Sequence, residues 1–368
     1  MNNLRFFLII ILVLSSSLIL SGFAKNIDFQ TANPKITEIP IKVKLLYKLG
    51  SDKTNEDFYK LHSFTVDKNG QIYILDAGNS RIQCFSKEGK FLFGFGRQGQ
   101  GPGELSNDTS KIKILSDGNI YVIDNLQRRI NVYNLEGKFL FSGKTSVYYN
   151  DIELLNNTYY LSSIRLEENY KPIHISRKLG KIDGEFGILV EPSVGVIQQI
   201  NQLRFPQPWR IGFSRYNFTN IIATNKNEII FSQDYPYRLI KYDAKGRVLK
   251  DIMGDVDFDT YAHDKITAKK GVVSLSTSKT ARILDVSIKN DNQVVVPYLD
   301  LEKNFFYIDI YDLDLNLISR YKMPNIIADA RKEESIGQGL IDNDDNLYAT
   351  VISQENYPQL VKYKLIFD

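Results

Sequence analysis

The chain has 368 residues, 43% of them hydrophobic and 12% aromatic, with basic and acidic residues interleaved to a formal charge of +3. No block of like charge offers the footprint of a nucleic-acid partner, and that class is excluded. Cys84 is the one cysteine, so an intramolecular disulfide is excluded too, and packing must supply the stability. The 22 Tyr and 21 Phe, set against one Trp and three Met, suit pleated, half-buried surfaces and point to an all-β protein.

The elements begin with Arg5, the apolar run Phe6 to Leu14, a small and polar stretch, and the small-x-small site Gly22-Phe23-Ala24. This is the order of a secretory signal peptide, residues 1–24, cleaved after Ala24. The alternative is an uncleaved anchor, because Phe6 to Ala24 spans 19 residues, enough to cross a bilayer. Phe23 stands where a lipid-bearing cysteine would be needed, which argues against a lipoprotein. The exported chain then has an extension over 25–38 and one domain over 39–368, periplasmic or extracellular, without stable membrane insertion after cleavage.

Two stretches repeat: "FTVDKNGQIYILDAGNSRIQCFSKEGKFLFGFG" (64–96) and "IKILSDGNIYVIDNLQRRINVYNLEGKFLFSG" (112–143). Each holds four short alternating runs separated by turn residues, the pattern of an up-and-down antiparallel sheet. Such a sheet is one blade of a β-propeller. Weaker copies follow at 151–190, 220–254, 282–323 and 339–368, and the last stops after its third strand. "IPIKVKLLYKLG" (39–50) has the alternation of a fourth strand and no blade of its own. It is expected to complete the last blade and close a ring of six four-stranded antiparallel blades, leaving no open edge. Between blades, "GRQGQGPGELSNDTS" (96–110) imitates a phosphate loop, but no helix and no Lys-Ser/Thr follow it. Gly96, Gly99, Gly101 and Gly103 are expected to supply positive φ angles for a tight crossing. Asp76 and Arg81 are expected to pair across their turn with Asn79 left-handed, and Asp124 and Arg129 to repeat the device.

"DAGNSRIQCF" (Asp76, Asn79, Arg81, Ile82, Phe85) and "DNLQRRINVY" (Asp124, Arg129, Ile130, Tyr133) resemble the NHL-type six-bladed propellers, especially the exported bacterial ones. Two blades carry that signature and the other four keep only the strand pattern. The resemblance implies the fold, which hosts binding proteins, lyases and lactonases alike, so it implies no one function.

The turns between first and second strands are short, whereas the crossings 96–110, 191–218, 255–281 and 324–335 are long and share one face. Long loops collected on one face of a rigid scaffold mark the candidate site. The largest crossing carries Trp209 with Arg204, Arg210 and Arg215, an aromatic platform beside guanidinium groups that suits a sugar, a peptide or an acidic ligand. Its structural alternative is a loop that anchors itself with Trp209 and Phe205. By repeat alignment Lys111, Asp151 and Arg282 lie at the channel mouth. No compact catalytic set is present: no His-Glu-x-x-His, no Gly-x-Ser-x-Gly and no cysteine cluster. The resemblance implies that a lyase of this type would hold a metal through inner-strand histidines, and His62, Asp151 and Asp285 are the groups available for it. His263 lies in a long crossing on the same face, and His174 away from the channel. "DLDLN" (Asp312, Asp314, Asn316) imitates a calcium loop without its glycine.

The sequence thus points to an exported, monomeric, non-catalytic propeller holding a peptide, glycan or protein partner on its loop-rich face. The alternative is a metal-assisted lyase or lactonase-like hydrolase at the channel mouth. No cofactor is predicted; calcium or zinc would serve the second.

Overall fold

The computed structural model describes residues 36–50, 57–163, 170–189, 219–233, 237–254, 265–269, 272–276, 281–300, 304–324, 335–352 and 357–367. Over these residues the alternating runs form antiparallel sheets in chain order, six blades around a central channel. Blade 1 comprises Leu61–Val66, Ile72–Asp76, Arg81–Phe85 and Phe91–Phe95. Blade 2 comprises Lys111–Ile114, Ile120–Asp124, Arg129–Tyr133 and Phe139–Lys144. Blade 3 is built from Asp151–Leu155, Thr158–Ser162, Ile173–Ser176 and the short Gly184–Phe186. Blade 4 is built from Thr219–Ala223, Glu228–Gln233, Arg238–Asp243 and Val248–Met253. In blade 5 the inner strand is broken into Ala281–Ile283 and Ser287–Lys289, followed by Gln293–Asp300, Phe305–Asp312 and Leu317–Pro324. Blade 6 has Ser335–Ile341, Asn346–Ile352 and Gln359–Ile366 from the end of the chain.

Its fourth strand comes from the start. Lys42–Leu49 pairs antiparallel with Gln359–Ile366, as the alternation of 39–50 anticipates, and closes the ring. The segment divides its allegiance, however. Glu38–Pro40 pairs in parallel with Leu317–Pro324 of blade 5, and the Ile41 amide donates to the Lys322 carbonyl. The chain start therefore clasps two neighbouring blades rather than one. The crossing 255–281 also differs from a plain loop, because Lys265–Lys269 and Val272–Ser276 pair as a hairpin.

The core is a circuit rather than a centre. Six apolar clusters form, each between two adjacent blades, and together they run round the ring. This follows from the two-residue period: both faces of the middle strands meet a neighbouring blade, so "IYILD" and "IYVID" are buried throughout. Tyr73, Tyr121 and Tyr348 fill these seams as fully buried rings. Outer strands, all but that of blade 5 paired on one side only, behave differently. In five of them one residue is skipped in the register, a β-bulge at Leu46, Leu92, Leu140, Leu249 and Ile318. All five side chains are exposed. A bulge spoils the flat edge that another strand would need for pairing.

The glycine-rich crossing is a built corner. Gly96 and Gly103 have the expected positive φ, +83° and +71°. Gly99 and Gly101 do not; they leave room for the Glu104 carboxylate, which accepts from the Gly101 amide at 2.7 Å. Blade 2 then holds the loop down: Arg129 donates to the carbonyls of Gln100, Gly101 and Glu104, and Gln127 to that of Gly99. Arg129 is thereby engaged away from Asp124, which accepts instead from Ser106 and the Gln127 amide. In blade 1 the expected pair is present, Arg81 Nε to Asp76 Oδ2 at 3.0 Å, but the left-handed residue is Ser80 (φ 52°), while Asn79 donates to Asp76.

Candidate functional site

Six inner strands converge on the channel, and the polar side chains they carry meet there. The two that tie most together are Lys113 and Gln338. Lys113 Nζ, from blade 2, lies 3.1 Å from Asp151 Oδ2 and 3.3 Å from Glu153 Oε2 in blade 3. It also donates to the Ile221 carbonyl of blade 4 at 2.6 Å. Gln338, from blade 6, donates through Nε2 to Asp285 Oδ2 of blade 5 at 2.7 Å. Its Oε1 accepts from the Ser63 hydroxyl at 3.0 Å and the Phe64 amide at 3.1 Å, both in blade 1. Each side chain thus stitches three consecutive blades, and between them all six inner strands are held.

The electrostatics follow from burial. Burial works against the Lys113 ammonium, but Asp151, Glu153 and Asp285 overcome it, and its pKa stands above the usual lysine value. Glu153 is pushed above the usual carboxyl range by burial, with Lys113 opposing. Asp151 spends its remaining capacity on amides, Oδ2 on Ile221 at 3.0 Å and Oδ1 on Ile152 at 2.9 Å. Asp285 Oδ1 accepts from the Val286 amide at 2.8 Å, at the break in the inner strand of blade 5.

The groups read from the sequence fare differently. Asp151 lies on the inner strand of blade 3 as aligned, but its partner is Lys113, which sequence reasoning missed. Arg282 donates to the carbonyls of Ile336 and Gly337 at 3.0 and 3.1 Å, so it joins blade 5 to blade 6. Lys111 heads the inner strand of blade 2, half-buried, with no side-chain hydrogen bond or ion pair among the described residues. His62, Asp151 and Asp285 are not brought together: among the described residues no three His, Cys, Asp or Glu side chains are placed to hold a metal. His62 bonds through Nδ1 to the Thr109 carbonyl at 2.6 Å. A carbonyl only accepts, so Nδ1 carries the proton and Nε2 of the neutral ring is an acceptor. Burial lowers the His62 pKa, the Thr109 bond opposes, and Lys60 lowers it further, which keeps the ring neutral at pH 7. His174 is buried in blade 3 between the hydroxyls of Tyr149 and Tyr170, at 3.0 and 3.4 Å. Asp312 accepts from the Asp314 and Asn316 amides, and Asp314 pairs with Lys241 of blade 4, so the carboxylates of "DLDLN" are engaged by its own amides and by the neighbouring blade. Trp209, Arg204, Arg210, Arg215 and His263 lie outside the described residues.

A family model described as a 6-bladed beta-propeller, DUF5128, matches residues 54–347. The chain belongs to that family. Its fold is shared by solved structures at low identity. A member of the duf4221 family from Bacteroides vulgatus is 13% identical with a TM-score of 0.58, covering 90% of this chain and 100% of its own. A candidate exported protein of Bacteroides fragilis is 14% identical with a TM-score of 0.52, covering 88% and 95%. A virginiamycin B lyase from Staphylococcus aureus, solved with quinupristin, is 12% identical with a TM-score of 0.46, covering 88% and 100%. At these identities the two Bacteroides likenesses show the fold alone. Among curated proteins none matches the sequence.

Proposed function

We propose that this family member is an exported, non-catalytic binding propeller that holds a peptide, glycan or protein partner on the face bearing the long crossings. One observation carries it. The two carboxylates that channel-mouth chemistry would require, Asp151 and Asp285, are already occupied by Lys113 and Gln338. With both carboxylates engaged by the chain's own side chains, ligand recognition is assigned to the crossing face. Trp209, Arg204, Arg210 and Arg215 are the proposed ligand-binding residues, joined by Lys111, a half-buried cation at the head of the inner strand of blade 2. Export is supported by the n-region, apolar run and Gly22-Phe23-Ala24 site of residues 1–24. The Asp-Asn-Arg signature of the first blade supports an NHL-type assignment. The test is retention on peptide and glycan arrays by residues 25–368 and by the Trp209→Ala/Arg210→Ala variant. The variant is expected to lose binding about tenfold or more with an unchanged unfolding midpoint. Equal retention by both proteins would remove the site from these residues.

A metal-assisted lyase or hydrolase is the second reading, and His62 favours it. An imidazole whose Nδ1–H is fixed on a backbone carbonyl presents Nε2 as metal ligands commonly do. Further ligands would have to come from outside the described residues, His263 among them.

A further inference from the structure

The strand that closes the ring is chemically unlike the other outer strands. From Ile39 to Gly50 it holds three lysines, Lys42, Lys44 and Lys48, and no acidic residue, and all three lysines are exposed. Glu38, just before it, is neutralised by Lys322 at 2.7 Å. Between the lysines stand Leu45 and Leu46, 45% and 43% exposed at the bulge. Ile39 and Ile366 add two more exposed apolar side chains, the latter opposite Lys42. The register places Lys44 directly opposite Lys364, whose ammonium donates to the Asp344 carbonyl.

We propose that this strand is a docking surface for an anionic phospholipid bilayer. Adjacent lysines supply attraction to acidic headgroups, and exposed leucine and isoleucine supply shallow apolar contact, the two components of peripheral membrane binding. Export directed by residues 1–24 carries the chain across a bilayer and so brings this surface close to acidic headgroups. Docking is peripheral: among the described residues no helix is long and apolar enough to cross a membrane. It goes beyond the ligand-binding reading and shares with it only the exported location, so either can fail alone.

The chain from Lys25 onward contains both clasp strands and every described strand of the ring, so residues 25–368 are used with vesicles. They are expected to co-sediment with phosphatidylcholine vesicles containing phosphatidylglycerol, to stay in solution with phosphatidylcholine alone, and to be released by salt. Lys44→Glu with Lys48→Glu is expected to weaken binding about tenfold or more, and, both side chains being exposed, to leave the unfolding midpoint unchanged. Leu45→Ser with Leu46→Ser is expected to weaken it severalfold at an unchanged unfolding midpoint. The proposal is overturned if the protein stays in solution with acidic vesicles at low salt, or if both variants bind like the parent. It is equally overturned if the protein is a dimer that the leucine variant dissociates, because a second copy would then cover the strand.

Discussion

Replacing Lys113 by Met tests these channel contacts directly. The side chain lies against Asp151 and Glu153, which are 1% and 12% exposed, and it is the cation that both carboxylates face. Met keeps the stem and its packing but removes the charge and the bond to the Ile221 carbonyl. Two buried carboxylates are then left without a cation, held only by the Ile152, Leu154 and Ile221 amides, and removing one partner of a buried pair costs about 3–5 kcal/mol. With a denaturant slope of about 3 kcal/mol per molar urea, the midpoint should fall by about 1 M or more. The pH dependence has a definite sign. Glu153 already stands above the usual carboxyl range in the folded chain, so its protonation favours folding, and without Lys113 that rise grows. The deficit is therefore largest at neutral pH and shrinks as pH falls through the raised pKa. Adding Glu153→Gln to the variant should recover part of the loss at neutral pH. Urea titrations followed by far-ultraviolet circular dichroism, at neutral and acid pH, read all three effects. A neutral-pH deficit under about 0.5 kcal/mol, or one that deepens in acid, would refute the reasoning.

Other parts of the fold carry their own expectations. Gly103→Ala forces a Cβ onto a φ of +71° and to 2.8 Å from the Phe139 ring, and should cost about 1–3 kcal/mol in thermal unfolding, unlike Gly118→Ala, which meets no atom within 4 Å and costs only its backbone strain. Asp76→Ala removes the acceptor of the Tyr59 and Lys60 amides, Asn79 and Arg81, and should destabilise by about 3 kcal/mol, read from the denaturation midpoint. Removing residues 1–49 uncovers the edge of Gln359–Ile366 and should give concentration-dependent association in sedimentation velocity, whereas removing only residues 1–40 should leave a monomer with a lower midpoint.

The parts of the fold that rest on local pattern were legible in the sequence. Blades 1 and 2 show their period-two alternation and turn residues openly, and the unpaired alternation of 39–50 is enough to place the closing strand. Glu38–Pro40 escaped because a three-residue strand ending in Pro has no period to read. The five bulges escaped because a skipped residue in "KFLF" or "KLLY" looks like unbroken alternation on a short strand. The site divides in the same way. Repeat alignment finds the heads of the inner strands, and so Lys111, Asp151 and Arg282. It cannot find Lys113 or Gln338, because their partners sit on blades far away in sequence and meet only through the radial geometry of the ring. Lys113 to Ile221 spans 108 positions, and Gln338 to Ser63 spans 275. Arg282 and Arg129 show the converse: each has the position of a ligand-facing or turn-pairing group, yet backbone carbonyls within reach claim the guanidinium.

The metal content of residues 25–368, purified without chelator, tests most directly whether the channel-mouth carboxylates are engaged by the chain's own side chains. The expected result is a folded protein without bound metal, whose unfolding midpoint is the same with and without a chelator. One calcium or zinc held per chain, and lost on replacing His62 or Asp151 by Ala, would contradict it and transfer the weight to the metal-assisted reading.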